Sequence, residues 1–390
     1  MNAPIVNSKR LLELLQKLIK IDSVNPSLVQ GSHGEQEISQ FIGRYLNTLG
    51  LEVEYQELGE NRGNVIGIMR GSGNGRSLML NGHTDTVSIE GMEIEPLEPI
   101  YKNGRIYGRG AFDMKGSLAA MLLSAEAIIK SSVKLKGDVI FTFVADEEYA
   151  SIGTEEVVKR YSADSAIVCE PTGLDIITTH RGFAWAKIIV HGKRAHGSMY
   201  DVGVDAIAKA GKVLVALENL DGRLKKAHPH PLLGRGSVHA SLIEGGIELS
   251  TYPDSCRIEY ERRTLPHETL DVVSEEIDTI LQELGSEDSQ FQADSEILLY
   301  RSGLETSPDE EIVQTIQLVS ERILTQPQTI IGAPWWTDAA LISDSGTPSV
   351  LFGPSGDGAH SAVEYVDFES VVSFANILNG VIIEMCENEL

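Results

Sequence analysis

Nearly unbroken apolar segments, separated by helical patterns, are the feature of the first half of the chain that most constrains its fold. The clearest of them is VIFTFV at 139–144, and it ends at the acidic segment ADEE at 145–148. Strands that are apolar on both faces are typical of a sheet that helices cover on both sides. The pattern therefore predicts an α/β fold with a central, mostly parallel mixed sheet flanked by helices.

The pattern changes near residue 180, where a second domain is predicted to begin. The segment RGFAWAKIIVHGK at 181–193 alternates like a half-buried strand, and it opens a β-α-β-β-α-β order typical of a ferredoxin-like α+β domain. The 390 residues are also too many for one ordinary core. We therefore predict a main domain formed by residues 1–179 and 298–390, with an α+β domain of residues 180–297 inserted into it.

The composition argues against several classes of partner and site. The formal net charge is −25, whereas nucleic acids and anionic membranes attract proteins with an excess of Lys and Arg. Residues 8–20 have the pattern of an amphipathic helix, and no apolar run reaches membrane-spanning length. The three cysteines are widely spaced, which indicates neither a disulfide framework nor a thiolate zinc site. We expect a cytoplasmic protein with no nucleic-acid or membrane partner.

Histidine and carboxylate residues are concentrated in five short segments. Four follow predicted buried strands and the fifth lies near the C-terminus: NGHTDTV (81–87), GRGAFDMKG (108–116), ADEE (145–148), CEPTG (169–173) and GAHS (358–361). Ligands of open α/β sheets bind at the carboxyl ends of the strands. Acidic residues that recur at these ends therefore predict one shared cation site.

Each of these signals also has a simpler interpretation when it is taken alone. Asp85 is also consistent with a turn, and Asp113 with the N-terminal cap of the helix that follows it. Glu147 and Glu148 would both face water if their strand ended earlier. At the end of a buried strand, however, adjacent carboxylates repel each other and lose hydration, and a bound cation would offset both effects.

The candidate ligands are two histidines and three carboxylates: His83, Asp113, Glu148, Glu170 and His360. This nitrogen and oxygen set suits zinc, with cobalt or manganese as substitutes. A single catalytic zinc normally takes about three protein ligands and a water. Five candidates are too many for one such site, but they fit two metal ions when one carboxylate bridges them.

The five segments, in this order and spacing, resemble the co-catalytic dizinc aminoacylase and metallopeptidase family, which includes acetylornithine deacetylase and succinyl-diaminopimelate desuccinylase. The resemblance covers essentially the whole chain. It implies that the main domain is catalytic, with two Zn²⁺ as cofactors. The inserted domain is expected to be a lid and the dimerisation surface of a homodimer.

The resemblance also implies a role for each residue of the metal centre. His83 and Glu170 would bind the first metal, Glu148 and His360 the second, and Asp113 would bridge them. Glu147 would be the general base, and Asp85 would orient His83. The peptide bond after Asp113 is expected to be cis.

Two residues of the inserted domain resemble substrate-binding residues of the family. His196 lies in HGKRAHGS (191–198), which is similar to the family's G-K-x-x-H pattern, and would stabilise the oxyanion, often across a dimer. Arg263 lies in ERRTLPHE (261–268), which resembles a D-x-R-x-x-P pattern with Glu261 in place of Asp. Arg263 is therefore a candidate clamp for a substrate carboxylate.

The function implied is that of a metal-dependent amidohydrolase that removes an N-acyl group from a small amino-acid-like substrate. The hypothesis is that a hydroxide bridging the metals attacks the amide, with Glu147 as general base. A dipeptidase or carboxypeptidase on the same scaffold is the alternative. A non-catalytic binding protein is a third interpretation, disfavoured because every candidate ligand and Glu147 are present.

Overall fold

The computed structural model describes residues 3–131 and 133–387. Its helices are α1 (Ser8–Lys20), α2 (Gln36–Leu49), α3 (Gly116–Lys130), α4 (Ile152–Val157), α5 (Ala206–Leu224), α6 (Leu270–Glu287), α7 (Glu311–Leu324), α8 (Ala339–Asp344) and α9 (Phe368–Cys386). Its longer strands are β1 (Glu52–Gly59), β2 (Arg62–Met69), β3 (Leu78–His83), β6 (Val139–Val144), β7 (Ser165–Val168), β8 (Ile176–His180), β9 (Gly182–His191), β10 (Ser237–Gly245), β11 (Ser255–Thr264) and β12 (Gln292–Arg301). The shorter strands are β4 (Ile100–Lys102), β5 (Arg105–Tyr107), β13 (Leu304–Glu305), β14 (Ile330–Ala333), β15 (Ser349–Leu351), β16 (Gly356–Asp357) and β17 (Tyr365–Asp367).

The chain forms two compact units. The first unit comprises Met1–Thr178, Thr306–Ile331 and Thr337–Leu390, and the second comprises Thr179–Glu305 and Gly332–Trp336. The domain limits derived from the sequence, 179 and 297, stay a prediction. In the structure β12 continues to Arg301, four residues past the predicted end of the insertion.

The central sheet of the first unit is mixed, with parallel strands at its centre. Its strands lie in the order β1-β2-β6-β3-β7-β15-β8. Strands β6, β3, β7 and β15 run parallel, whereas β1, β2 and β8 are antiparallel to their neighbours. All residues of β3 and β6 are buried, as expected for strands with helices on both faces. The predicted fold class is confirmed.

Amphipathic or fully apolar helices cover this sheet. In α1, Asn7 caps the N-terminus by accepting a hydrogen bond from the Arg10 N–H, and the predicted apolar face is buried. The most apolar helix is α9, the one described helix that is long and apolar enough to cross a membrane. Two thirds of its most apolar window, 67%, is buried, and it packs against α3 and α7. It is therefore a core helix of the first unit.

A small sheet of short strands was not predicted from the sequence. Its order is β16-β17-β5-β4, and Tyr365 of β17 pairs with Tyr107 of β5. Strands of two or three residues are too short to show an alternating pattern. The pairing joins the segment before Asp113 to the segments on either side of His360, which are about 250 residues apart in the sequence.

The second unit contains an antiparallel sheet in the order β10-β11-β9-β12. Helices α5 and α6 pack on it and share an apolar core with β9, β11 and β12 that includes Ile188, Val213, Ile258 and Ile280. The predicted β-α-β-β-α-β order is observed as β9-α5-β10-β11-α6-β12. Strand β10 is an edge strand of this sheet, and its residues from His239 to Gly245 are exposed.

Candidate metal centre

Three neighbouring parallel strands bring the predicted motifs to one edge of the central sheet. Strand β3 ends at His83, β6 ends just before the turn that carries Glu147 and Glu148, and β7 ends just before Glu170. Because β6, β3 and β7 are adjacent and parallel, their carboxyl ends lie side by side. Residues that are far apart in sequence thus meet at one place.

The first group of possible metal ligands is His83, Asp113 and Glu170. Nε2 of His83 lies 3.0 Å from Oδ1 of Asp113 and 3.7 Å from Oε1 of Glu170. One donor atom of each side chain lies within 4.8 Å of the others. The spacing is that of three ligands around one ion.

The second group is Asp113, Glu148 and His360. Nε2 of His360 lies 2.9 Å from Oε2 of Glu148 and 3.4 Å from Oδ2 of Asp113. Asp113 therefore presents one oxygen to each histidine, which is the arrangement required of a bridging carboxylate. The Asp113–Met114 peptide bond is cis, as the sequence resemblance implied.

The electrostatics of the cluster favour bound cations. Burial raises the pKa of Glu170 to about 8 and the pKa of Glu148 to about 7. Hydrogen bonds with Asp113 and Glu148 raise the pKa of His360 to about 10. Burial opposes ionisation of Asp113, yet contacts with His360 and His83 hold its pKa below the usual value. The carboxylates are thus costly to ionise without positive charge beside them.

One oxygen of Glu148 shows directly whether these residues suit a metal ion. Its Oε1 is buried and has no hydrogen-bond partner in the described residues, and its side chain is only 6% exposed. The alternative in which Glu148 faces water is therefore wrong. A buried oxygen without a partner, next to two imidazoles and two further carboxylates, suits a divalent cation. The residues present fit a site for two metal ions.

The structure adds a main-chain contact to the role predicted for Asp85. Nδ1 of His83 lies 3.0 Å from the main-chain oxygen of Asp85 and 3.6 Å from its carboxylate. The strand ends at His83, so alternation along a strand no longer aligns the two side chains. Since a carbonyl only accepts, Nδ1 carries the proton, and Nε2 of the neutral ring can bind metal.

The Asp85 carboxylate also fixes the turn that carries the two glutamates. Its Oδ1 accepts the Glu147 N–H at 3.2 Å, and its Oδ2 accepts the Glu148 N–H at 3.1 Å. Oδ2 also accepts a hydrogen bond from the Asn25 side chain at 2.8 Å. Asp85 therefore positions both glutamates through their main chain.

A buried ion-pair network below this turn was missed in the sequence. Nη2 of Arg62 lies 2.6 Å from Glu35 and 2.7 Å from Asp146. Asn25 donates to Asp146 as well as to Asp85. Asp146 has a φ of 71° and its main-chain oxygen accepts three N–H groups of the turn. No local signal marks these residues, because their partners are 27 to 121 positions away.

Asp338 is a further buried carboxylate near the centre. It is the residue just before α8. Its Oδ2 accepts a hydrogen bond from Thr154 at 2.6 Å, and burial raises its pKa to about 6. Burial also raises the pKa of Glu147 well above its usual value, and the charges of Glu170 and Asp338 add to this effect.

The two predicted substrate-binding residues lie in the second unit. His196 is exposed, and its Nδ1 lies 2.9 Å from the Ser198 hydroxyl. Arg263 lies on β11, with Nη2 at 3.0 Å from Glu261, and its guanidinium stands 5.3 Å from the centre of the Phe183 ring. Arg263 thus already has one carboxylate partner from its own strand.

Comparison with known proteins identifies the family. The model described as Peptidase family M20/M25/M40 matches residues 79–384. Acetylornithine deacetylase of Myxococcus xanthus is 31% identical over 87% of this chain and 90% of its own length. The chain belongs to Peptidase family M20/M25/M40. A second M20 relative, the N-formyl-4-amino-5-aminomethyl-2-methylpyrimidine deformylase of Bacillus subtilis, is 28% identical over 98% of this chain and 96% of its own.

Solved structures of M20 proteins share the fold. The aminopeptidase PepT of Bacillus cereus superposes with a TM-score of 0.78 at 21% identity, covering 97% of this chain and 99% of that one. The YXEP protein of Bacillus subtilis, described as a dinuclear metal-binding peptidase, has a TM-score of 0.75 at 18% identity, covering 97% and 98%. The family assignment makes this chain a hydrolase of amide bonds, with a site for two metal ions.

Removal of the bridging carboxylate is expected to affect both metal ions, whereas removal of one histidine affects one. We expect Asp113→Ala to lose both ions, because its two oxygens serve both groups. His360→Ala keeps the ion of the first group. Metal content per chain, measured by elemental analysis after dialysis, checks this, with the exposed His33→Ala as control. Two ions retained by Asp113→Ala would contradict the bridging role.

Proposed function

We propose that this M20 enzyme removes a short N-acyl group from a small amino-acid-like substrate. The main observation is that Glu147 directly precedes the ligand Glu148 in the turn after β6, and that its carboxylate interacts electrostatically with Glu170 and His83 of the first group. No hydrogen-bond partner of that carboxylate occurs among the described residues, whereas the Glu147 N–H is held by Asp85. By their names, the two sequence relatives remove acetyl and formyl groups from amines. This supports N-acyl hydrolysis over peptide cleavage.

The proposed metals are two Zn²⁺ ions, with Co²⁺ or Mn²⁺ as substitutes. His83, Asp113 and Glu170 would hold one ion, and Asp113, Glu148 and His360 the other. Imidazole nitrogens and carboxylate oxygens are the ligands that zinc takes in hydrolases. When bound, such ions polarise the substrate carbonyl and lower the pKa of water.

Glu147 is proposed to move the proton during hydrolysis. It takes a proton from the attacking water and returns it to the nitrogen of the leaving amine. Its raised pKa, caused first by burial, suits a group that must both accept and donate a proton. The hydrogen bond from its N–H to Asp85 fixes the main chain, so the carboxylate is aimed by a rigid turn.

Replacement of Glu147 tests this role. We expect Glu147→Gln to keep both metal ions and to lose kcat by about 10²–10⁴-fold or more, because the amide cannot carry the proton. Turnover is measured on a panel of N-acetyl, N-formyl and N-succinyl amino acids and on dipeptides, after chelation and reloading with zinc. The exposed Glu57→Gln is the matched control. Near wild-type kcat in the metal-loaded Glu147→Gln variant would exclude the role.

The panel also separates the reaction classes. Faster turnover of N-acyl amino acids than of dipeptides supports the proposed deacylase. The reverse order supports a dipeptidase or carboxypeptidase on the same metal centre. Metal binding with no turnover of any substrate would favour a binding protein.

Arg263 is proposed to bind the carboxylate of the substrate. A guanidinium has five N–H donors, more than its partner Glu261 takes up, and Phe183 supports its flat face. We expect Arg263→Ala to raise KM for N-acyl amino acids by about 10- to 100-fold, since a hydrogen bond to a charged group contributes about 1.5–3 kcal/mol.

The control substrates for this prediction are the same N-acyl amino acids with a neutral carboxamide. Their KM should change little in Arg263→Ala, because they lack the charge that Arg263 binds. Arg257→Ala, an exposed arginine on the same strand paired with Glu244, is the control variant. An equal rise in KM for both substrate forms would reject the clamp.

A homodimer formed through the second unit is also proposed. Edge strand β10 exposes Leu242 and Ile243, and the loop that follows exposes Ile247 and Leu249. A second copy of the chain can pair with an exposed edge strand and cover its exposed apolar side chains. His196, exposed in one chain, would then stabilise the oxyanion at the partner's metal centre.

Light scattering tests the dimer. We expect a mass of twice 42.5 kDa, and a shift to the monomer in the double variant Leu242→Lys with Ile243→Lys, because two buried charges would be unpaired. Leu318→Lys, at an exposed position of α7, is the control. A wild-type chain that stays monomeric at micromolar concentration would exclude the dimer.

A further inference from the structure

The carboxylate of Glu364 is buried and accepts four hydrogen bonds from the loop that carries the bridging Asp113. Oε1 accepts the N–H groups of Phe112 at 2.9 Å and Asp113 at 3.1 Å. Oε2 accepts the N–H of Gly110 at 3.0 Å and Nη1 of Arg109 at 2.8 Å. With 0% of the residue exposed, water does not compete for these bonds. One side chain therefore organises the whole loop from 109 to 113.

Glu364 is also joined to the loop of His360, four residues earlier. Its main-chain oxygen accepts the Gly108 N–H at 3.2 Å, and Nη2 of Arg109 donates to the Ser361 oxygen at 3.2 Å. Strand β17 begins one residue later and pairs with β5, which precedes the Asp113 loop. Several hydrogen bonds and a strand pairing thus join the loop of Asp113 to the loop of His360.

We infer that Glu364 is a positioning residue that sets the separation of Asp113 and His360, and with it the second metal site. The inference rests on the two-metal centre of the proposed function, not on its acyl substrate. Only the second group combines ligands from these two loops, since Oδ2 of Asp113 lies 3.4 Å from His360. In the first group only Asp113 contacts Glu364, through its main-chain N–H, whereas His83 and Glu170 follow strands of the central sheet and share no hydrogen bond with Glu364 among the described residues.

Glutamine cannot replace this carboxylate. Its amide presents one oxygen and one NH2 group, and the NH2 would face N–H donors of the loop. At least one main-chain N–H would lose its acceptor in a buried place, which is costly and shifts the loop. Aspartate is one methylene shorter and cannot reach all four donors.

The test is the stepwise binding of metal to the apoprotein, measured by titration calorimetry with Zn²⁺ and by the absorption spectrum with Co²⁺. For Glu364→Gln we expect binding of the first ion to weaken less than binding of the second, because two of its three ligands, His83 and Glu170, follow strands of the central sheet. The second ion should bind about 10- to 100-fold more weakly, the loss typical when a group supporting a metal ligand is removed. Excess metal should restore the second ion, because the ligands themselves are intact.

Glu126→Gln is the matched control. Glu126 is another buried carboxylate in the first unit, and it accepts hydrogen bonds from Arg10, Tyr45 and Lys130 away from the centre. The Glu126→Gln variant should have a lower midpoint of thermal unfolding and should bind both metal ions as the wild type does. Arg109→Lys, which loses the donor to Ser361, is a second probe in case Glu364→Gln does not fold, and it should show the same selective loss.

Two outcomes would overturn the inference. Wild-type affinity for both ions in the folded Glu364→Gln variant would show that the spacing does not depend on this carboxylate. Equal weakening of both ions, not rescued by excess metal, would show a general structural role. Since the readout is metal binding, a failure to turn over N-acyl substrates would bear on the proposed function alone.

Discussion

The structure depends on the burial of several carboxylates around Asp113. Negative charges that are buried close together repel each other and lose hydration. The cluster therefore needs bound cations, and neighbouring residues must hold its ligands in place. The histidines approach Asp113 from both sides, at 3.0 Å for His83 and 3.4 Å for His360. The neighbouring carboxylates of Asp85 and Glu364 accept hydrogen bonds from main-chain N–H groups of the ligand-bearing loops. The surrounding residues therefore hold the main chain of the ligand-bearing loops in place.

Two different scaffolds meet at this centre. The parallel strands β6, β3 and β7 end at a common edge of the central sheet, where they place Glu148, His83 and Glu170. The small sheet, through the pairing of β5 with β17, delivers the bridging carboxylate and the last histidine. Ligands on loops are precise only when rigid elements anchor those loops. The second metal site lies where the two scaffolds join, which is why the inferred role of Glu364 concerns that site.

Family membership establishes hydrolysis of amide bonds, and the metal centre accounts for that shared chemistry. Proteins similar to this chain are named deacetylase, deformylase and aminopeptidase, so the fold and the family do not by themselves select the substrate. Selection must come from residues that contact the rest of the substrate. Arg263, on a strand of the second unit and supported by Phe183, is the proposed contact for a carboxylate.

The main helices and strands and the types of ligand could be predicted from the sequence, because apolar periodicity and helix caps act locally. It predicted the buried face of α1, the strands that end at His83 and before Glu170, and the five candidate ligands. Which residues contact each other depends on the packing of the whole chain. The small sheet, the Arg62 network, the main-chain contacts of Asp85 and the four bonds to Glu364 join residues up to about 250 positions apart. Hydrogen bonds across such distances leave no pattern in the local sequence, since they depend on how the chain packs.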